Sequence, residues 1–530
     1  MNSNYKYKYE KLQPGKRQYD DIDLSVEKIV KAKYVDSVVF NGNLFIEALP
    51  FAKSEEEVKM TFNRIPELPN KKDFQKLPEQ IQEMALSKLE GFRIALPFHV
   101  DIEKEFNRTL VESYAGRVLT KAQNYELMVE GVPYKVSHKL RAYHSGEATN
   151  GFAMLGVAGS GKSTAMNMVL DHYPQVIIHE FKDETVVQIV YLFVTCETNS
   201  NFNALYKSIA EAIDNALGNG NNACAREIEN IRSGGLGAKS AKIREFVEQY
   251  SIGIIIFDEI QNIDLRSTRE NSLEALLTLN NTTHVGLGVL GTEDAFYDLF
   301  SKDRTVRRFS AFIAASRYCK NYKTFINIIN GLFLTQIFET EVYPSADIIK
   351  AFYDESDGVI AHAVLLYYYI LKDYISRKTK PEVTAAYVYK IGKTSRKIIH
   401  DRIMKNHEST FKSNVARNKV ISEMNSYGET EERVKRETEF TDAIAHSSIF
   451  LKGTATQIIM SKNKNYTVGA VENAVEQAIE RGADTEDTVV STAVDLLKDN
   501  KVATRPQANR KDLKEIDIER IRKEILGETE

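Results

Sequence analysis

Short apolar runs recur through the middle of the chain, at Phe152–Leu155, Val187–Val194, Ile252–Phe257 and Val285–Leu290. Between them the apolar positions take helical spacing, at Ser163–His172, Phe202–Leu217, Ala241–Tyr250 and Arg269–Leu279. Continuous apolar runs alternating with amphipathic segments predict an α/β domain, a parallel sheet flanked by helices, over residues 140–330. From about Gly331 the pattern turns all-helical, at Ala346–Tyr353, Val359–Ile375 and Val383–Arg402, which predicts a small helical lid over 331–404. Residues 405–530 are polar and charged and are expected to be helical or flexible, a partner-binding region; Asn425–Arg436 is almost wholly polar and reads as a linker. Upstream, residues 38–139 alternate short amphipathic stretches with turns marked by Pro50, Pro66, Pro69, Pro78 and Pro97, which predicts a separate N-terminal domain. There, Leu77-Pro78-Glu79-Gln80-Ile81 opens a helix, with proline and acids in its first turn. In residues 1–37, Tyr5, Tyr7, Tyr9 and Tyr19 interleave with Lys6, Lys8, Lys11, Lys16 and Arg17. That stretch reads as a flexible basic tail, with a pattern that also suits stacking on bases and pairing with phosphates.

Composition narrows the class. A chain of 530 residues has length for about three or four domains. No run approaches the roughly 18 apolar residues of a membrane helix, so no membrane partner is expected. Charge sums to 70 − 74 = −4, so a nucleic-acid surface has to be a local patch and not a global basic excess. Cys196, Cys224 and Cys319 are too few and too scattered for a disulfide framework or a cysteine zinc site. The first residues lack the apolar core of a signal peptide, and a reducing cytoplasm is expected.

The strongest chemical signal is Gly156-Val157-Ala158-Gly159-Ser160-Gly161-Lys162-Ser163, which fits G-x-x-x-x-G-K-[ST] and lies after an apolar strand and before a helix. Glycines there let successive backbone N–H groups turn inward around an anion, and the helix adds its positive end. Gly156, Gly159, Ser160, Gly161, Lys162, Ser163 and Thr164 form the expected ATP cradle. Lys162 is expected to reach the β- and γ-phosphates, and the Ser163 hydroxyl to take one Mg²⁺ position.

The run Ile254-Ile255-Ile256-Phe257 ends in Asp258-Glu259. Ligands bind beyond the carboxyl ends of such buried strands. Asp258 is the expected second Mg²⁺ contact, and Glu259 the base that orients and deprotonates an attacking water. A further strand between the two motifs, with a glutamate beside the Mg²⁺ aspartate, resembles the AAA+ ATPases. In that group a polar residue at the end of the next strand contacts the γ-phosphate or the water, and Thr292 stands there. Gly286-Leu287-Gly288-Val289-Leu290-Gly291 matches a dinucleotide fingerprint but lies within a strand, so it fails that test. Asn70-Lys71-Lys72-Asp73 matches a guanine-reading string but precedes the phosphate loop, and adenine is expected instead.

By the same resemblance, Arg304, Arg307 and Arg308 fall where a guanidinium reaches the neighbouring subunit's nucleotide, which implies a homo-oligomer, ring or helical filament. Where many relatives carry a lid arginine, the segment Ser356-Asp357-Gly358-Val359-Ile360-Ala361-His362 has Ala361 or His362, and His362 reads as a helix-packing residue.

Several strings together resemble the TnsC family, AAA+ regulators of transposons whose heteromeric transposase is steered to selected targets. They are the Leu155–Thr164 loop, Met168–Leu170, Tyr173-Pro174-Gln175-Val176-Ile177, Ile256-Phe257-Asp258-Glu259-Ile260-Gln261-Asn262 and Val289-Leu290-Gly291-Thr292. Asn43-Leu44-Phe45-Ile46-Glu47-Ala48-Leu49-Pro50 is similar to the family's NPFIEALP string, and Tyr114-Ala115-Gly116-Arg117 to another segment. The resemblance runs from Asn43 to Ile375, and more faintly over Asp512–Ile521. It implies ATP-bound subunits that oligomerise on double-stranded target DNA and pass the target from a target-selection protein to transposase subunits, with hydrolysis driving disassembly. It also implies DNA contacts between the second and third core strands, where Lys207, Arg226, Arg232, Lys239 and Lys242 lie beside the break Gly234-Gly235-Leu236-Gly237. The amphipathic stretch Asp512–Leu526, behind the basic Lys501–Lys511, suits docking on a partner such as a transposase subunit or packing on the chain's own body. The alternative reading is an AAA+ replication initiator or helicase loader, which predicts a winged-helix pattern after the lid.

Overall fold

The computed structural model describes residues 18–35, 43–69, 71–115, 117, 126–129, 132–135, 151–181, 184–197, 202–218, 220, 222–232, 235–263, 272–296, 299, 308–309, 311–315, 321–408, 419, 422–424, 426, 431–463 and 466–499. By its contacts the chain divides into two units. One comprises Met1–Ser54, Phe98–Ala315 and Val420–Gly428, the other Glu55–Pro97, Ser316–Lys419 and Glu429–Glu530.

In the first unit the strands are β1 (Ile29–Lys31), β2 (Glu126–Val129), β3 (Val132–Lys135), β4 (Phe152–Leu155), β5 (Val176–Phe181), β6 (Glu184–Ile189), β7 (Tyr191–Thr195), β8 (Ile254–Asp258), β9 (Gly286–Gly291) and β10 (Ala311–Ala314). Five of them form a parallel sheet in the order β10-β4-β9-β8-β7. Every residue of β4, β8 and β9 is buried, which is why these strands read as unbroken apolar runs and not as alternations. Around the sheet lie the helices Lys162–Leu170, Phe202–Ala216, Ala223–Asn230, Gly235–Gln249 and Ser272–Thr283. The helix Phe202–Ala216 buries Phe202, Leu205, Tyr206, Ile209, Ala210 and Ile213, one stripe at three- and four-residue spacing. That is the parallel α/β architecture the apolar pattern predicts.

Three expectations need correction. The run Val187–Val194 is not one strand: β6 ends at Ile189, and β7 starts at Tyr191 in the other sheet. β6 pairs antiparallel with β5, and the polar Gln188 within it is buried because His179 on β5 takes its side-chain oxygen at 2.8 Å. Residues 18–35 are not a flexible tail: β1 pairs parallel with β5, Tyr19, Leu24, Val30 and Tyr34 are buried, and the Tyr34 hydroxyl meets His179 Nδ1 at 2.8 Å. Nor do residues 38–139 form one separate domain, since 43–54 and 98–115 lie in the first unit and 55–97 in the second. The strand β10, which pairs with β4 over Ala311–Ala314, carried too short an apolar run to be anticipated.

The second unit is helical from Tyr322 onward among its described residues. Helices Ala346–Ser356, Ile360–Ser376, Ala385–Ser395 and Lys397–Glu408 fall on the three segments expected to be helical, with Val383–Arg402 divided into two helices, while the helix Tyr322–Phe333, in a stretch assigned mostly to the α/β domain, was not anticipated. Rings of Phe325 and Tyr353, Phe333 and Phe352, and Phe338 and Tyr374 meet edge to face in their core. Helices Ser448–Lys462, Val468–Glu480 and Glu486–Asp499 share a second apolar core built on Leu451, Ile459, Val471, Val475, Val489 and Leu497. The stretch Asn425–Arg436, expected as a linker, contributes its last residues to the helix Glu431–Ala445. No described residue between 405 and 499 is in a strand. The amphipathic stretch Asp512–Leu526 lies outside the described residues.

Candidate nucleotide site

The phosphate loop leaves β4 at Leu155 and enters the helix Lys162–Leu170 at its cap, Gly161. Gly159 and Gly161 take φ values of 81° and 91°, left-handed conformations that a side chain would strain. Those two reversals turn the loop's N–H groups to one side and make the concavity that an anion needs. Lys162 is buried, and its ammonium donates to the carbonyl oxygens of Gly156 at 3.0 Å and Val157 at 3.1 Å, so it is folded back over the loop. The Ser160 hydroxyl is buried with no hydrogen-bond partner.

Beside β4 in space lies β9, and beyond it β8, which delivers Asp258 as its last residue. Asp258 is buried, and burial raises its pKa; the neighbouring Ser163 hydroxyl and the Glu259 N–H, which donates to Oδ1 at 2.9 Å, oppose that rise. The structure thus brings together the two residues that the sequence assigned to a cation, although they are 95 positions apart. Glu259 sits in the left-handed region at φ 56° and opens the turn Ile260–Asn262. Within that turn, the Gln261 side-chain amide donates to Glu259 Oε2. Thr292, directly after β9, donates its N–H to Gln261 Oε1 at 3.0 Å, and its hydroxyl is buried without a partner. Cys196, directly after β7, donates its N–H to the Asp258 carbonyl at 2.9 Å. Its thiol is pushed up to about 12 by burial and by the charges of Asp258 and Glu259, so it stays protonated and unreactive.

Residues 148–300 match the AAA domain family. This segment is an AAA-type P-loop domain. No curated protein matches the chain. Among solved structures, the chain is similar to Cdc6p from Pyrobaculum aerophilum at 13% identity, over 67% of this chain and 76% of that one, with a TM-score of 0.29. It is also similar to the ORC2 protein of Aeropyrum pernix, solved as ADPNP–ADP complexes, at 13% identity over 58% of this chain and 83% of that one, with a TM-score of 0.30.

The residues of the AAA domain suit a nucleotide and its cation. Two buried hydroxyls, on Ser160 and Thr292, have bonding capacity that the protein does not use. Asp258 and Ser163 supply the hard oxygen donors that Mg²⁺ takes. Lys162 supplies the charge that would exchange loop carbonyls for phosphate oxygens.

Other candidates fall elsewhere. The Arg308 carbonyl accepts from the Gly151 N–H at 2.7 Å, at the amino end of β4 and so a strand's length from the loop in the same chain. Arg304 and Arg307 lie outside the described residues. Among the basic candidates, Lys207 pairs with Glu229 at 2.6 Å and Glu211 at 3.6 Å, and Lys242 with Glu227 at 2.6 Å and Glu245 at 3.2 Å. Arg226 and Arg232 are exposed, and Lys239 is half-buried. His362 Nδ1 lies 3.4 Å from the Ser356 carbonyl within the helical second unit, a helix-packing place.

The Asn43–Pro50 string and Arg117 meet at the opposite ends of the strands. Asn43 accepts from the Ile46 N–H as a helix cap and donates to the carbonyls of Tyr114 at 2.8 Å and Arg117 at 3.1 Å. Arg117 is buried, which lowers its pKa, and it donates to the carbonyls of Ile252 and Thr283 just ahead of β8 and β9. These residues brace the sheet. Gln261 was the residue whose role sequence reasoning missed; the only signal was an amide two places after Glu259.

Proposed function

We infer that the chain is a Mg²⁺-dependent ATPase that switches between subunit states on duplex DNA, and that it serves as a regulator of transposition. The observation that carries the ATPase reading is the convergence of the phosphate loop, the side chains of Ser163 and Asp258, and Glu259 at the carboxyl ends of β4 and β8. Lys162 and the loop N–H groups hold the triphosphate, with Thr292 aimed at its terminal phosphate. Mg²⁺, held by Ser163 and Asp258, would neutralise phosphate charge as the bond breaks. Glu259 accepts a proton from the attacking water. Arg304, Arg307 and Arg308 are the candidates for a guanidinium supplied to a neighbouring copy.

Support for the transposition reading is the set of strings shared with the TnsC family, the Asn43–Pro50 string foremost. It makes target DNA, a target-selection protein and transposase subunits the partners, in the cytoplasm. For DNA, the candidate surface is the helical face bearing Lys207, Arg226, Arg232, Lys239 and Lys242. Its ion pairs with Glu211, Glu227, Glu229 and Glu245 lie at the surface, where water and salt screen them, so a phosphate backbone displaces them cheaply.

Glu259→Gln is the test. It keeps size and hydrogen bonding but removes the base, so turnover is expected to fall about a hundredfold or more while ATP affinity holds. Electron microscopy of this variant with ATP and random-sequence duplex is expected to show persistent oligomers on DNA. Particles that stay monomeric with and without duplex would refute the switch, and binding confined to one duplex sequence would favour an initiator.

A further inference from the structure

Arg396 stands in the second unit, where the helix Ala385–Ser395 ends and the helix Lys397–Glu408 begins, and it is only 4% exposed. A guanidinium taken this far out of water ordinarily has a carboxylate against it, because a buried charge without a partner is costly. Here the neighbouring acid is committed elsewhere: Glu355 Oε2 meets His400 Nδ1 at 2.8 Å. Arg396 reaches Glu355 through Nη1 alone, in a 3.4 Å contact with the backbone carbonyl that is longer than an ordinary hydrogen bond. Its Nε and Nη2 are buried with no partner among the described residues. Burial lowers the Arg396 pKa to about 10, which still leaves the group charged at neutral pH. The two unpartnered nitrogens share one edge of the planar guanidinium, and their N–H bonds run parallel. That edge is the fork that takes two oxygens of a single oxyanion.

The chain around Arg396 favours an anion. Lys393 and Lys397 are exposed, three positions before it and one after. The helix Lys397–Glu408 has no acid in its first turn, so its leading N–H groups add a positive end there. We propose that Arg396, with the first turn of Lys397–Glu408, forms a phosphate site built from none of the residues of the phosphate loop. Its ligand is a small terminal phosphate, either orthophosphate or the end of a phosphate monoester. The burial of the fork decides that shape. A phosphodiester in a nucleic-acid backbone carries a sugar on each side, whereas a terminal phosphate presents its free oxygens at the tip of a narrow approach. Lys393 and Lys397, long and exposed, meet the remaining charge of the ligand from the solvent side.

The test uses the full chain carrying Lys162→Ala, which removes the lysine of the phosphate loop from competition. Amide hydrogen exchange over Lys397–Asp401 is measured at equal ionic strength in chloride, in orthophosphate and in ribose 5-phosphate. Exchange there is expected to slow about threefold or more at saturating phosphate. Slowing by orthophosphate identifies the free ion as a source, and slowing by ribose 5-phosphate alone identifies an ester; either supports the site. Arg396→Lys keeps the charge without the fork and is expected to need about tenfold more phosphate for the same response. Arg396→Met abolishes the response. In chloride its urea midpoint is expected to be no lower than the parent's, because an apolar chain of similar length replaces a desolvated charge. Phosphate strengthens burial in any protein, so each variant is compared with the parent in the same buffer. A parent whose exchange does not respond to either phosphate overturns the site. An Arg396→Met chain destabilised equally in chloride and phosphate also overturns it, since a carboxylate of the protein would then fill the fork. Slowing by random-sequence duplex but by neither small phosphate overturns it as well.

Discussion

His179 shows how a single side chain makes the first unit sensitive to acid. It is fully buried between Tyr34 and Gln188, and burial holds its pKa down at about 4, against an ordinary 6.5. Its ring is satisfied as the neutral tautomer that donates from Nε2 and accepts at Nδ1. The unfolded chain takes up a proton below pH 6.5 that the folded chain refuses until about 4. Stability is therefore complete above pH 6.5 and lost as pH falls toward 4, by about 3 kcal/mol at the limit. His99, buried and held at about 3, adds to the same loss. Thermal unfolding followed between pH 7 and 4.5 is expected to show a declining midpoint, with a shallower slope in His179→Gln. Equal slopes would show that His179 does not carry the effect.

At the scale of elements, the second unit contains a helix whose glycine is required by a neighbour. Gly392 lies within Ala385–Ser395, where alanine would ordinarily stabilise by about 1 kcal/mol. A Cβ there would stand 2.1 Å from Glu355 Oε2. Glu355 is buried on the helix Ala346–Ser356 and bonded by His400 Nδ1 at 2.8 Å, so it cannot step aside without breaking that pair. The sign reverses: Gly392→Ala is expected to destabilise by about 1–3 kcal/mol in urea denaturation. A stabilised variant would mean that the carboxylate moves freely.

For the whole molecule, the net charge of −4 means that the proposed DNA binding has to rest on local backbone contacts and not on a global basic excess. If the five candidate cations each meet a phosphate, log affinity for duplex falls with log salt at a slope of about −4 to −5. Neutralising Lys207 or Lys242 should reduce that slope by about one each, measured by fluorescence anisotropy on random duplex. A slope near zero would place binding elsewhere. No helix among the described residues is long and apolar enough to cross a membrane.

Local patterns were enough for the centre of the site. An apolar run before a glycine loop, and another before Asp258-Glu259, are signals contained within a dozen residues, because backbone reversal and strand burial are local demands. The parallel sheet follows from the same patterns, and the Gly286–Gly291 string lies in a strand, as its apolar run implied. Long-range pairing decided the rest. The break of Val187–Val194 between two sheets depends on His179 and Tyr34, and the place of residues 18–35 depends on β5 offering an edge. The division of residues 38–139 between two units depends on what each half packs against. Likewise the Glu259–Gln261–Thr292 bridge joins residues more than thirty positions apart, and only the adjacency of β8 and β9 makes it possible.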